Sequence, residues 1–498
     1  MLRQSIRKSF RPNDLLFQII VACSFGLLLA IASLWFSPLL VLATLTAPVF
    51  IYATLKRPEI ALLGILIATS SIVFEEQLPL LSVGSISLHV PDLLLLGSLG
   101  LIAIRWLVEP EFRIVRTPLD WPLLIFYGVT LLSTFIAILQ SSVEVQLALR
   151  ETRVLSYYLT FFIVTNLVRE RRQLNFLLNG LFLLSTIVAA AMIGQFLLGD
   201  SVQLLPGGVA SLVTEGLVFE DITRIFPPGW SIVLVSFVAI VCILIVEKFK
   251  PLGLLKFFQC GILGMAILLT FLRSYWAVLI MVFFLLVYLF RGVERRRLIG
   301  WGLVVISSAA MFLLVVFSYP HSRASRLLGA SINRLGTLGN SGTFQGQDDS
   351  LNWRMIENRY AFSTIASHPL IGLGMGARYR PWDSRLDFRG ADGSVNDLRN
   401  FLHNGHLWIL LQSGLLGYLS LMWLSLAFLI RGFRYWRSIV NNRMRGVVLG
   451  FTLVYLVVLI AAVVNSTFMQ WYWTPVIGII MGINEVILMK FRQEESVV

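Results

Sequence analysis

The chain has 498 residues, 57% of them hydrophobic and only 13% charged, a balance that excludes a soluble multidomain protein and places it among polytopic membrane proteins. The formal net charge of +13, from 40 Lys and Arg against 27 Asp and Glu, would suit nucleic acid in a soluble chain. In a membrane protein basic residues mark cytoplasmic loops, so no nucleic-acid partner is expected.

At the N-terminus Arg3, Arg7, Lys8 and Arg11 precede an apolar stretch without a small-residue cleavage signal, which reads as an uncleaved first span with a cytoplasmic basic flank. Apolar runs of spanning length follow near Leu15–Phe36, Pro38–Leu55, Ile60–Phe74, Leu93–Val108, Trp121–Gln140, Val154–Val168 and Leu174–Leu198. More lie near Trp230–Val246, Gly253–Leu272, Tyr275–Phe290, Ile299–Tyr319, Gly405–Ile430, Gly446–Asn465 and Trp471–Met489. The fold expected is an all-α polytopic membrane protein of about fourteen transmembrane helices, or about twelve if the tight junctions at Pro38 and Arg273 merge spans. Cys23, Cys242 and Cys260 fall in apolar segments, so neither a disulfide framework nor a cysteine metal site is indicated.

Charge supports this order. With the N-terminus inside, alternate connections hold Lys56 and Arg57, Arg105 to Arg116, Arg169 to Arg172, Lys248 to Lys256, Arg291 to Arg297, Arg431 to Arg445, and Lys490 with Arg492. The other short connections hold only Arg150, Arg153, Arg224 and Arg273. The positive-inside rule then puts both termini in the cytoplasm and the long loop from Pro320 to Leu402 outside. Three regions result: N-terminal spans over 1–319, a large outer loop with short helices over 320–404, and C-terminal spans over 405–498. Ser331 to Ser350 is rich in Gly, Ser, Asn and Thr and reads as flexible. From Leu351 to Ser367, Trp353, Ile356, Tyr360 and Ile365 recur at roughly helical spacing, which predicts an amphipathic helix on the membrane surface, ended by Pro369.

All five histidines, His89, His321, His368, His403 and His406, fall on the outer side, with the four arginines that oppose the topological bias. An arginine at a span boundary is costly without a partner, so their shared side points to one anion-binding site. The polar island from His368 to Tyr418, punctuated by Gly372, Gly374, Gly376, Gly405, Gly414 and Gly417, is where chemistry is sought. The outer carboxylates Asp348, Asp349, Asp383, Asp387, Asp392 and Asp397 are scattered, with no spacing that gathers oxygen ligands, so no metal and no cofactor is expected.

Several elements occur in a fixed order. They are Arg224 before Phe226-Pro227-Pro228, then Thr270, Arg273 and Trp276 opening a span, then Trp353-Arg354. His368-Pro369-Leu370-Ile371-Gly372-Leu373-Gly374-Met375-Gly376, His403-Asn404 and Ser413-Gly414-Leu415-Leu416-Gly417 complete the set. Together they resemble the O-antigen ligase and polymerase family of bacterial envelope glycan enzymes, over about the C-terminal half. Leu272 and Gln412 depart from that pattern, where a small polar and an acidic residue are more usual.

The resemblance implies transfer of a glycan from an undecaprenyl-diphosphate-linked donor to a glycan or lipid-anchored sugar acceptor, at the outer face of a bacterial inner membrane. The planar fork of arginine suits phosphate oxygens. Arg224 and Arg273, with Arg150, Arg153 and Arg354, are therefore the expected diphosphate ligands. His403 is the expected general base for the acceptor hydroxyl, with Asn404, His406 and Gly374 in substrate contact. Plainer roles stand beside these: interface anchoring by Arg224 and Arg273, neutralisation of Glu144 and Glu151 by Arg150 and Arg153, lipid headgroup contact by Arg354, helix capping by His403 and Asn404, and a tight turn at the glycines. Tyr379, Arg380 and Trp382 line a sugar groove or sit at the interface. Direct attack implies a metal-independent, inverting reaction. The competing functions are a multi-span anion transporter and a non-catalytic envelope-assembly protein.

Overall fold

The computed structural model describes residues 56–70, 81–83, 86–199, 203–205, 209–214, 217–247, 252–318, 349–389 and 395–492, with a few isolated positions between. The expected spans near Leu15–Phe36 and Pro38–Leu55 (Thr54 apart), the part of Ser331 to Ser350 before Asp349 that was expected to be flexible, and Cys23, His321, Asp348 and Asp392 lie outside the described residues.

From Pro58 onward the chain is mostly helical. In order it forms α1 (Pro58–Thr69), the hairpin β1 (Leu81–Val83) and β2 (Ile86–Leu88), α2 (Val90–Val108), α3 (Asp120–Leu139), α4 (Val145–Ser156), α5 (Thr160–Leu167) and α6 (Arg171–Leu198). The hairpin β3 (Val209–Thr214) and β4 (Leu217–Ile225) precedes α7 (Trp230–Val246), α8 (Leu252–Leu269), α9 (Arg273–Leu289) and α10 (Gly292–Phe317). Next come α11 (Asp349–Ser367), the short pair β5 (Phe388–Arg389) and β6 (Val395–Asn396), α12 (Gly405–Tyr435), α13 (Asn442–Ala461) and α14 (Thr474–Lys490). Each strand pair is antiparallel.

Among the described residues five helices are long and apolar enough to cross a membrane: α2, α3, α6, α12 with its extension to Ser438, and α13. They stand where spans are expected, and the chain is a multi-pass membrane protein. α1, α7, α9 and most of α8 are shorter apolar helices.

One expected span is corrected. Val154–Val168 is not one helix: α4 ends at Ser156, a 3-10 turn covers Tyr157–Leu159, and α5 runs only from Thr160 to Leu167. At about 1.5 Å per residue α5 falls far short of a bilayer core of about 30 Å. The Tyr157 hydroxyl donates to Asp92 Oδ1 at 2.6 Å and the Tyr158 hydroxyl to the Phe468 carbonyl at 3.2 Å, which pins the break in place.

The core centres on α13, which packs on α7, α9, α12 and α14. Gly446 and Gly450, four apart, make the α7 contact possible: a Cβ there would come within 2.7 Å of Ile243 Cα and 2.5 Å of Ala239 Cα. In lipid, where apolar surface alone does not drive helices together, such backbone approach supplies the packing. Gly478 and Gly482 play the same part between α14 and α5.

Candidate active site

The beginnings of α9 and α12 and the end of α13 meet at one end of the bundle, and the polar groups there hold one another. Asn465 Nδ2 donates to Ser274 Oγ at 3.3 Å, and the Asn465 carbonyl accepts from the Gly405 amide at 3.2 Å. That amide also donates to the Ala462 carbonyl at 2.8 Å. A Cβ at Gly405 would lie 2.9 Å from the Asn465 carbonyl oxygen, so glycine is needed for the approach.

Three arginines reach this end from separate elements. Arg224, the penultimate residue of β4, donates from Nε to the Thr270 carbonyl at 3.0 Å and lies over the Phe226 ring at 5.2 Å. Arg273 is the first residue of α9, a cation at the positive end of a helix dipole. Phe271, two residues before it, has φ of +52°, a backbone strained for a residue with a bulky side chain. Arg354, on α11, donates from Nε to the Val464 carbonyl at 3.2 Å. Burial and the neighbouring charges of Arg354 and Arg273 hold the Arg224 guanidinium below its ordinary pKa. Like charges gathered at a helix N-terminus form a place for an anion.

His403 lies just before α12. Its Nδ1 is 2.9 Å and 3.0 Å from the two carboxylate oxygens of Glu357, and its backbone N–H donates to Oε2 at 3.2 Å. The carboxylate is 4% exposed and the imidazole 34%. Phe401 meets the imidazole edge-on at 4.8 Å. Sequence reasoning missed Glu357. The one signal available was a lone acid three residues after Arg354, on the same helical face as Ala361.

The helix expected over Leu351 to Ser367 is present as α11. Glu357 and Ala361 are buried and Arg354 is half-buried, while Trp353 is 45% exposed and Ile356, Tyr360 and Ile365 are partly buried. Partners at His403 and Val464 hold the Glu357 and Arg354 face inward. On the flank, the Tyr360 hydroxyl donates to Asp383 Oδ2 and Thr364 Oγ1 to the Tyr379 carbonyl, tying α11 to the loop after it.

Asn404 is the N-cap of α12, its side-chain oxygen accepting from the amides of His406 and Leu407 at 3.1 Å each. That oxygen is committed to the helix, as the capping alternative has it. His406 sits between two partners, with Nε2 2.9 Å from the Leu459 carbonyl and Nδ1 3.3 Å from the Tyr418 hydroxyl. The carbonyl only accepts, so Nε2 carries the proton and donates.

The glycine run is corrected too. Its amides do not face open space: Leu373 and Gly374 donate to the Leu411 and Gln412 carbonyls at 2.9 Å, where α12 is broken at Gly414. Leu415 and Leu416, beyond the break, donate back to Pro369 and Leu370. Gly374 has φ of +85°, and a Cβ there would lie 2.5 Å from Ala137 Cβ. The run therefore fastens the break in α12 against α3, and substrate contact at the Gly374 amide is not carried forward. His368 is exposed, with Nδ1 3.0 Å from Ser367 Oγ.

Arg150 and Arg153 part company. Arg150 is 65% exposed and pairs with Glu151 at 3.2 Å, while Arg153 reaches Asp92 at 3.5 Å. Of the residues expected along a sugar groove, Trp382 is exposed, but Tyr379 and Arg380 are buried. Arg380 makes a bidentate pair with Asp387 at 2.6 Å and 2.8 Å. Asp383 is paired with Arg385, and Asp397 with Arg399 and Arg378, so arginines occupy these loop carboxylates.

Residues 258–422 match the family model described as O-Antigen ligase. A comparison with curated proteins returned no match. The matched segment runs from α8 into α12 and contains Arg273, Arg354, Glu357, His403 and the glycine run, while Arg224 lies before it. Over residues 258–422, about a third of its length, the chain is similar to the O-antigen ligase family.

Proposed function

We propose that the protein transfers a glycan from an undecaprenyl-diphosphate-linked donor to the hydroxyl of a glycan or lipid-anchored sugar, at the outer face of a bacterial inner membrane. The observation that carries this reading is the gathering of Arg224, Arg273 and Arg354 at the bundle end where His403 stands. His403 Nε2 takes the acceptor hydroxyl proton as that oxygen attacks the anomeric carbon. The bond from that carbon to the phosphate oxygen breaks, and its electron pair leaves on the diphosphate, whose charge the arginines hold. Attack from the face opposite the leaving group inverts the anomeric centre. Arginine charge takes the place of a metal ion, so transfer continues in chelator.

The basic connections at the far end of the bundle support the orientation, with both termini cytoplasmic and the site outside. Ligase and polymerase differ in the acceptor alone. The test uses full-length protein in proteoliposomes with a diphosphate-linked glycan and an acceptor sugar. Wild type should form product and release the polyprenyl diphosphate, and His403→Ala should lose both by roughly 10²-fold or more. Full turnover by a folded His403→Ala variant, or a retained anomeric configuration in the product, overturns the mechanism.

A further inference from the structure

Glu357 has no part in the transfer step above, yet the His403 imidazole hydrogen-bonds to it. An ionised carboxylate only accepts hydrogen bonds, so with both its oxygens within 3.0 Å of Nδ1 the proton of a neutral imidazole belongs on Nδ1. Nε2 then keeps its lone pair. Among the described residues no hydrogen bond reaches Nε2, and the ring is 34% exposed, so that lone pair faces outward from a ring fixed on its other side. The second bond, from the His403 backbone amide to the same carboxylate, fixes the main chain as well as the ring.

We propose that Glu357 is the positioning residue of this site, holding His403 as the Nδ1–H tautomer so that Nε2 is the atom that takes the acceptor proton. Arg354 precedes it by three residues on the same face of α11, so one helical turn sets the base and one member of the arginine cluster in common register. When Nε2 takes the proton, the imidazolium keeps its Nδ1–H bond to the carboxylate, and that pair holds the new charge in place. The inference rests on the transferase reading, because a positioning role requires that His403 act as the base.

The test uses full-length protein in nanodiscs, labelled with 15N-histidine, with His403→Gln to assign the His403 signals. Wild type should show the Nδ1–H tautomer at His403. Glu357→Gln, whose amide can donate as well as accept, should show a mixture, and Glu357→Asp should restore part of the wild-type signal. In the transfer assay Glu357→Gln should lower kcat roughly 10²-fold with donor KM within about threefold of wild type. Arg354→Ala should instead raise donor KM. An unchanged tautomer in Glu357→Gln overturns the proposal. So does a loss that appears as a lower Tm and a raised donor KM at unchanged kcat, the pattern of a residue that only fastens α11. The two levels fail differently: a fully active His403→Ala sinks the base and its positioning together, whereas an inactive His403→Ala with a fully active Glu357→Gln sinks the positioning alone.

Discussion

The two ends of the helix bundle use arginine in opposite ways. Where α9 and α12 finish, five arginines have acceptors of their own. Arg431 pairs with Glu485 at 2.7 Å and 2.8 Å, and Arg445 pairs with Glu294. Arg295 donates to the Phe290 carbonyl, Arg437 to the Leu289 carbonyl, and Arg297 to the Ile245 and Glu247 carbonyls. These carbonyls lie at the ends of α9 and α7, where a helix lacks internal donors and its dipole favours a cation. Where α9 and α12 begin, Arg224 and Arg354 also hold carbonyls, but with Arg273 they crowd one another beside a helix N-terminus, which opposes their charge. A count of basic residues does not separate these cases. The difference is whether the surroundings relieve the charge or concentrate it.

The largest effect that sharpens this contrast is on anion binding. Each charge-assisted hydrogen bond is worth about 1.5–3 kcal/mol. Arg224→Ala with Arg273→Ala should therefore weaken binding of donor, or of inorganic pyrophosphate, by roughly 10²–10⁴-fold. Arg437→Ala at the other end should leave that Kd unchanged. Calorimetric titration of both variants is the check, and equal losses would erase the distinction between the ends.

Stability should show the reverse pattern. Removing Arg431 leaves the Glu485 carboxylate, 1% exposed, without its partner, at a cost of about 3–5 kcal/mol. Arg431→Ala should then melt well below wild type while its folded fraction binds pyrophosphate normally. Replacing both partners, Arg431→Met with Glu485→Leu, should recover much of the loss, because the cost lies in the stranded charge. A melting temperature unchanged in the single variant would break this half of the comparison.

The sequence makes the helical membrane fold legible because apolar runs of spanning length need no tertiary information, and five of them stand where the hydropathy puts them. It misses the break at Tyr157–Leu159, since the apolar run continues through a turn held by partners as distant as Asp92 and Phe468. At the candidate site, Arg224, Arg273 and His403 stand out in the sequence because the expected topology or a motif marks them. Glu357 is not, because its meaning comes from a contact across 46 positions that no local pattern encodes. Asn465, which joins α9, α12 and α13, ends an apolar run and reads as a span boundary. The glycine run is the reverse case: positive φ is what its composition suggests, but only the fold shows Leu411 and Gln412 taking its amides.

A smaller effect tests that last point. Gly414 has φ of +64°, and a Cβ there would lie 2.3 Å from the Leu370 carbonyl oxygen, so Gly414→Ala should cost about 1–3 kcal/mol or more in strain. The loss should appear in Tm, with pyrophosphate Kd unchanged in the folded protein. A weakened Kd at normal Tm would return the glycine run to the binding site.

The smallest effect concerns pH and the ion pairs of the loop between α11 and α12. Hydrogen bonds from Arg399 hold the Asp397 carboxyl down to about 2, from an ordinary 3.8. Those from Arg385 hold Asp383 well below the usual range. Against the penalty of burial, the paired Arg380 guanidinium does the same for Asp387. A depressed folded pKa contributes stability that is complete above the unfolded value and is lost as pH falls through the folded one. All three pairs should therefore hold the loop equally at about pH 5 and about pH 8 and weaken only toward pH 2. Hydrogen exchange over 378–399, corrected for the intrinsic rate, should show the same protection at both of the higher values. If the proposed transfer takes place, a change of its rate within that window must then arise at the arginine cluster and His403. Protection lost already at about pH 5 would show instead that these arginines do not hold their carboxylates, and the loop would lose the paired character that separates it from the arginine cluster.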